Sequence, residues 1–156
     1  MAIAIYNTLT IIDSLLSSVK GKWLLIGTTS LAIQGFPVEP NDIDILCNTE
    51  IAIVIEKLLV AYKLEMNVVP RDKFRSRFSR YKINDVIIEV MGDLEVNTIN
   101  GWLKVLEVIE CPIEISFQQN IFNIPGKVDQ LAMYNAFNRN KDELLIKMLN
   151  RPHGSN

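Results

Sequence analysis

The sequence has little cysteine, little histidine and no excess of positive charge. Its 156 residues contain two cysteines, Cys47 and Cys111, outside any CxxC pattern, and one histidine, His153. Neither a disulfide framework nor a cysteine/histidine zinc site follows from such a set. Sixteen Lys and Arg against eighteen Asp and Glu give a net charge of −2. That balance argues against general binding to nucleic acids or anionic membranes, although it leaves a local basic patch open.

Targeting and membrane signals are missing as well. No basic residue precedes Lys20 and Asp13 interrupts the first apolar run, so no signal peptide is predicted. The longest uncharged stretch, residues 23–38, is broken by Gly and Pro and is too short to span a bilayer. We therefore expect a cytoplasmic protein without a membrane segment. We also expect one domain over residues 1–150 and a flexible tail over 151–156.

Hydrophobic periodicity predicts a mixture of helices and strands. Two polar turns, Asn84-Asp85 and the segment 118–120, are typical of hairpin connections. The predicted class is α+β, a mixed sheet flanked by helices, with Trp23 and Trp102 in the core. Helices are expected over about residues 7–19, 28–34, 49–62, 128–137 and 144–149, and strands over 23–26, 43–47, 74–83, 86–91, 113–117 and 121–124.

A pair of acids gives the clearest chemical signal. Asp42 and Asp44 stand two residues apart on a predicted strand, so both project from one face while Ile43 and Ile45 point into the core. Neighbouring carboxylates repel each other, and a hard divalent cation such as Mg²⁺ stabilises that arrangement. The alternative is a pair of aspartates at a solvated strand edge. The spacing by itself leaves both interpretations open.

The turn between the strand 23–26 and the helix 28–34 is a candidate phosphate site. Gly27 carries no side chain, so a ligand can approach the backbone there. Backbone N–H groups and the hydroxyls of Thr28 and Thr29 can bind phosphate oxygens at the start of a helix. Many strand-to-helix turns share this pattern, so it is weak on its own.

Glu89 is a charged residue within an otherwise apolar strand, and such a residue needs a partner. A metal ion shared with Asp42 and Asp44 is one possible partner. The other is Arg80, because a two-residue turn at Asn84-Asp85 places Arg80 directly opposite Glu89. The two alternatives stay open at this point.

Residues 71–82 hold six Lys and Arg but only one acid, with aromatic residues between them. Such a segment can bind a triphosphate or an RNA end. Charged residues also protect the exposed edge of a sheet, and we favour that interpretation for every cation except Arg80.

Taken in order, Gly27-Thr28, Gly35, Asp42-Ile43-Asp44 and Glu89 resemble the motifs of the nucleotidyltransferase superfamily of the DNA polymerase beta type. In particular, the chain resembles the small stand-alone proteins of that fold in bacteria and archaea. The matching segments are 27–35, 37–45 and 88–93, and the resemblance covers most of the chain. Two residues depart from the family pattern: Thr28 replaces Gly or Ser, and Glu89 replaces the commoner Asp.

The resemblance implies transfer of a nucleotidyl group from an NTP to an acceptor, which is a small molecule, a protein or an RNA end. It assigns Asp42 and Asp44 to binding Mg²⁺ or Mn²⁺. Glu89 would complete the metal site and help to activate the acceptor hydroxyl. Gly27 and Thr28 would hold the triphosphate. A homo-oligomer is compatible with this class of protein.

A further resemblance lies near the C-terminus. Arg139, Lys141 and Asp142 match an Arg-x-Lys-Asp element of some toxin and antibiotic-modifying nucleotidyltransferases, where the Lys lies near the nucleotide. Leu145 replaces a second Asp of that element. The same residues also suit an ordinary helix start, where acids are favoured.

Three classes of function therefore remain open. The first is an active nucleotidyltransferase. The second is a catalytically silent domain of the same fold that binds a nucleotide or a protein partner. The third is an unrelated α+β interaction domain in which the acids coincide by chance.

Overall fold

The computed structural model describes residues 3–66 and 71–152, so most of the expected tail lies outside the described residues. The helices are α1 (Ile3–Leu15), α2 (Gly27–Ile33), α3 (Thr49–Leu58), α4 (Val105–Val108), α5 (Lys127–Phe137) and α6 (Glu143–Leu149), with 3₁₀ turns at Val60–Tyr62 and Asn140–Asp142. The strands are β1 (Leu24–Ile26), β2 (Asp42–Cys47), β3 (Phe74–Ile83), β4 (Val86–Thr98), β5 (Gly101–Lys104), β6 (Pro112–Phe117) and β7 (Asn120–Pro125).

A mixed five-stranded sheet is built around β4, the longest strand. The strand order is β1-β2-β4-β3, and β5 pairs with the last residues of β4. The pairing of β2 with β4 is parallel, whereas the other pairs are antiparallel. Strands β6 and β7 form a separate hairpin, and β7 lies against β1. The predicted α+β class is confirmed.

The β3–β4 hairpin has the register that its turn predicts. Asn84 and Asp85 both have left-handed backbones, with φ of 50° and 63°. That conformation is the one required by a two-residue hairpin turn whose twist matches its strands. Arg80 consequently pairs across the hairpin with Glu89.

Strand β4 runs past its predicted end at Met91. A glycine at position 92 is typical of a strand end, but here it lies directly against α3. A Cβ added to Gly92 would be 2.8 Å from the Cβ of Ala52. Asp93 follows in a left-handed conformation, and its Oδ2 accepts hydrogen bonds from the backbone N–H and the hydroxyl of Thr49 at 2.8 and 2.6 Å. These two hydrogen bonds hold the pKa of Asp93 below its usual value. Gly92 therefore lets α3 pack closely on β4, and Asp93 holds the first residue of α3 against the strand.

The sheet separates two apolar clusters. One face packs against α1, α3 and the β6–β7 hairpin, and it includes Ile43, Ile45, Ile88 and Val90. The opposite face packs against α2, α5 and α6. Side chains alternate between the two faces along a strand. Because the neighbours of Asp42, Asp44 and Glu89 along β2 and β4 point to the first face, the three acids point to the second.

Other differences from the predictions are local. The first helix begins at Ile3 and ends at Leu15, four residues earlier than expected at each end. Strand β5 and helix α4 are additional, since elements of four residues are too short to show a period. Trp102 is not in the core. It lies 39% exposed on β5, under the guanidinium of Arg75 at 4.1 Å from the ring centroid.

Trp23 does pack against the first cluster, as predicted. Among the residues that the structure describes, no helix has both the length and the apolar character needed to cross a membrane.

Candidate active site

Three carboxylates converge on the second face of the sheet. Parallel pairing of β2 with β4 places Asp44 beside Glu89, and Asp42 lies two residues earlier on β2. One oxygen from each of these acids lies within 4.8 Å of the other two, and all three residues are half-buried. The sequence prediction that these acids meet on one face agrees with this arrangement.

The cluster is electrostatically strained in the absence of a cation. Burial raises the pKa of Asp44 to about 7, and the charges of Asp42 and Glu89 add to the rise. The positive charges of Lys141 and Arg139 act in the opposite direction. Near neutral pH, Asp44 therefore exchanges a proton readily, and a cation that binds the cluster displaces that proton.

The chemistry of these acids fits a hard divalent cation. Mg²⁺ binds oxygen ligands at about 2.1 Å, so oxygens on opposite sides of the ion lie about 4.2 Å apart. The carboxylate oxygens of the cluster lie within 4.8 Å of one another, which is close to that separation. A cation would also offset the mutual repulsion of the acids.

Gly27 closes the site on the side of β1. Ile26, the last residue of β1, pairs with Asp44, so the chain passes directly over the Asp44 carboxylate as it enters α2. Gly27 has a φ of 71°, and a Cβ built on it would lie 2.7 Å from Asp44 Oδ2. Only glycine satisfies both the left-handed backbone and this close approach.

The two threonines after Gly27 differ in their surroundings. Thr29 is buried, and its hydroxyl donates to the backbone carbonyl of Asp42 at 2.6 Å. That hydroxyl holds the start of β2 in place, so its hydrogen is directed at the chain itself and away from the nucleotide that the sequence prediction assigns to Thr29. Thr28 is half-buried beside Gly27.

Arg80 reaches the cluster from β3. Its Nη2 lies 3.7 Å from Glu89 Oε1, and the Arg80 side chain is 44% exposed. An ion pair this long and this exposed contributes little to stability. Arg80 is thus available to a ligand as well as to Glu89. Glu89 lies both in the acid cluster and beside Arg80.

Three other cations of the basic segment form ion pairs within the chain, which favours the interpretation of a charged sheet edge. These ion pairs are Arg75–Glu95 at 2.8 Å, Arg77–Glu56 at 3.0 Å and Lys82–Asp85 at 3.5 Å.

The segment after α5 brings further positive charge to the site. The Arg139 guanidinium donates to both oxygens of the buried Asp142 at 2.7 and 3.0 Å. It also lies over the rings of Phe74 and Phe137, 5.5 and 4.9 Å from their centroids. These contacts of Arg139 hold the 3₁₀ turn that carries Lys141 in place. The positive charge of the exposed Lys141 ammonium lowers the pKa of Asp44.

Two buried polar residues near the site escape sequence reasoning. Gln130 of α5 donates from Nε2 to the hydroxyl of Ser30 at 3.1 Å, although the two residues are 100 positions apart. Tyr134, one turn further along α5, has a buried hydroxyl without a hydrogen-bond partner among the described residues. Burial, and secondarily the charge of Asp142, raises the pKa of that phenol. Neither residue lies within a recognisable motif.

This combination, a mixed sheet with two aspartates on one strand and a glutamate on its parallel neighbour, defines the nucleotidyltransferase fold. Comparison with solved structures agrees. TM1012, a candidate nucleotidyltransferase from Thermotoga maritima, superposes with a TM-score of 0.79 at 27% sequence identity, covering 96% of each chain. The lincosamide antibiotic adenylyltransferase LnuA, solved with lincomycin bound, gives a TM-score of 0.59 at 17% identity, covering 92% of this chain and 94% of its own. No protein-family model and no curated protein sequence matches.

The chain is therefore a small protein of the nucleotidyltransferase fold, as its motifs predict. The alternative of an unrelated α+β interaction domain is wrong.

The contact between Gly27 and Asp44 yields a paired prediction. Gly27→Ala introduces both backbone strain and a clash with Asp44, whereas Gly35→Ala introduces strain alone, because Gly35 has a φ of 92° with no atom within 4 Å of the added Cβ. We expect Gly35→Ala to lower the free energy of unfolding by about 1–2 kcal/mol. Gly27→Ala should lower the free energy of unfolding by more than that and should weaken Mn²⁺ binding by about tenfold or more. Denaturant unfolding measures the stability and isothermal titration the Mn²⁺ affinity. Equal effects of the two substitutions would contradict the geometry.

The raised pKa of Asp44 predicts that replacing this residue by a neutral one stabilises the protein in a pH-dependent way. Because the pKa is raised in the fold, ionisation of Asp44 destabilises the metal-free protein. This cost is absent below about pH 4, grows as the pH rises and is complete above pH 7. In chelator, Asp44→Asn should stabilise the protein by about 1–3 kcal/mol at pH 8 and have little effect at pH 4. Denaturant unfolding at the two pH values provides the test. Glu114→Gln, on the separate β6–β7 hairpin, serves as the control, and an equal gain at both pH values would refute the prediction.

Proposed function

We propose that this protein is a metal-dependent nucleotidyltransferase that moves an NMP group from an NTP to the hydroxyl of an acceptor. The observation that carries the proposal is the convergence of Asp42, Asp44 and Glu89 within 4.8 Å on one face of this fold. The likeness to TM1012 and to an adenylyltransferase supports the same reaction class.

In the proposed reaction, the acceptor oxygen forms a bond to the α-phosphorus while the bond from that phosphorus to the bridging oxygen breaks. Pyrophosphate leaves, and the hydroxyl proton passes to Glu89, the acid to which the family resemblance assigns the activation of the acceptor hydroxyl. Asp42 and Asp44 would hold Mg²⁺ or Mn²⁺. Once bound, the ion would supply charge stabilisation for the phosphate oxygens in the transition state.

The other residues bind and orient the nucleotide. Gly27 lets the backbone at the start of α2 lie next to Asp44, and the backbone and hydroxyl of Thr28 would bind phosphate oxygens there. Lys141 contributes positive charge from the turn after α5, and Arg80 contributes it from β3. Thr29 acts indirectly by holding the backbone of Asp42.

A catalytically silent nucleotide-binding domain is the second candidate. The observation in its favour is the Arg80–Glu89 pair, which already offsets the charge of the proposed base. The two candidates differ in chemistry and not in binding: both retain nucleotide, but only the enzyme transfers the α-phosphate.

The test is transfer of label from α-³²P NTP, with Mg²⁺ or Mn²⁺, to a panel of small-molecule hydroxyl compounds, RNA and protein. We expect wild-type transfer to fall at least 100-fold in Asp42→Asn, and metal-dependent NTP binding to fall with it, while the protein stays folded. Glu56→Gln, an acid on the opposite face, should retain both properties. Metal-dependent NTP binding without transfer to any acceptor would favour the silent domain, and NTP binding by Asp42→Asn equal to wild type would exclude the proposed metal site.

Arg80 provides a second test of the site. If Arg80 releases Glu89 to bind phosphate oxygens, Arg80→Ala should weaken NTP binding by about tenfold and change the free energy of unfolding by less than about 1 kcal/mol. The matched control is Arg77→Ala, which removes an ion pair on the opposite face of the same strand. It should leave NTP affinity unchanged. Lower stability with unchanged affinity in Arg80→Ala would make the Arg80–Glu89 pair purely structural.

A further inference from the structure

A buried chain of hydrogen bonds runs from the C-terminal part of the molecule to the carboxylate cluster. Gln130 of α5 is fully buried and donates from Nε2 to Ser30 Oγ at 3.1 Å. Ser30, also fully buried, donates its hydroxyl hydrogen to the backbone carbonyl of Gly27 at 2.8 Å. The Gly27 backbone in turn lies next to Asp44, because a Cβ added to Gly27 would be 2.7 Å from Asp44 Oδ2. Two hydrogen bonds therefore connect α5 to the turn that lies beside Asp44.

The direction of this chain is determined by Ser30. A serine hydroxyl has one hydrogen, and here that hydrogen is directed at Gly27. The oxygen of the hydroxyl can therefore only accept from Gln130, so the amide nitrogen must face Ser30. The amide oxygen of Gln130 faces away and has no partner among the residues that the structure describes.

An unpartnered buried oxygen makes Gln130 a poor choice for stability alone. Burying an amide oxygen without a hydrogen bond costs desolvation, and a leucine of similar volume would avoid that cost. A residue that breaks a local packing rule in this way commonly marks a functional requirement. The requirement visible here is the donor to Ser30, which holds the Ser30 hydroxyl on Gly27.

We infer that Gln130 is a positioning residue for the carboxylate site, holding the left-handed Gly27 turn against Asp44 through Ser30. The inference rests on the proposed function in one respect, namely that the cluster binds a divalent cation. Without the amide, the Ser30 hydroxyl is free to rotate, and the turn over Asp44 loses the contact that orients it. Asp44 then samples positions that suit a shared cation less well.

Gln34 offers a matched control within the same helix region. Its Nε2 also donates to Ser30, but to the backbone carbonyl, at 2.8 Å. Both glutamines thus donate an amide hydrogen bond to Ser30, but only that of Gln130 reaches the hydroxyl that is bonded to Gly27. Replacing each by leucine separates a specific effect on the turn from a general loosening of α2.

The experiment measures Mn²⁺ affinity by isothermal titration, and thermal stability in chelator, for wild type, Gln130→Leu, Gln130→Glu, Ser30→Ala, Gln34→Leu and Asp44→Asn. We expect Gln130→Leu to bind Mn²⁺ about tenfold more weakly at an almost unchanged melting temperature. Gln130→Glu should bind more weakly as well, because an ionised carboxylate accepts the Ser30 hydrogen and draws it away from Gly27. Ser30→Ala combined with Gln130→Leu should be no weaker than either alone, since both substitutions break one chain. Gln34→Leu should bind as wild type does.

Two results would overturn the inference while leaving the metal site intact. One is wild-type Mn²⁺ affinity in both Gln130 variants, even at reduced stability, which is the signature of a merely structural role. The other is an equal loss of affinity in Gln34→Leu. A wild-type protein that binds no Mn²⁺, or an Asp44→Asn variant that binds it equally well, would instead refute the proposed metal site, and the inference with it.

Discussion

The parallel pairing of β2 with β4 is the constraint on which the rest of the site depends. Because side chains alternate along a strand, a slip of one residue in this pairing would move Glu89 away from Asp44 and an apolar residue into its place. The register is held from outside the pair. Gly92 admits α3 at close range, and Asp93 binds the start of that helix through Thr49. Helix α3, which packs on the first face of the sheet, thus helps to fix the register that brings the three acids together on the second face.

The carboxylate cluster is a local instability that the surrounding positive charge only partly offsets. Arg80 reaches it from β3 at the edge of the sheet, while Lys141 and Arg139 act on Asp44 from the turn after α5. Arg80 is 44% exposed and lies 3.7 Å from Glu89, so it offsets the charge of the cluster only in part. Under the proposed function, a bound cation would relieve the remaining repulsion, and such a compromise between stability and function is common.

Short-range patterns explain why much of this could be predicted from the sequence. The Asn84-Asp85 turn specifies a hairpin register through its own backbone preference, which is why the Arg80–Glu89 pairing follows directly. The DxD spacing and the alternation around Glu89 likewise determine which face each acid occupies. The continuation of β4 beyond Met91 was missed because Gly92 and Asp93 resemble a strand end when α3 is not considered.

By itself, then, the sequence determined the longer elements, the α+β class and the side of each strand that carries an acid, because these depend on periods of two to four residues and on turn chemistry. The tertiary structure alone decided that β2 lies beside β4, and with it the 4.8 Å spacing of the acids and the pKa of Asp44 near 7. It also decided that Thr29 supports the backbone of Asp42 and that Gln130 reaches Ser30. Contacts across 13 and 100 residues arise from packing between elements, which no local pattern encodes.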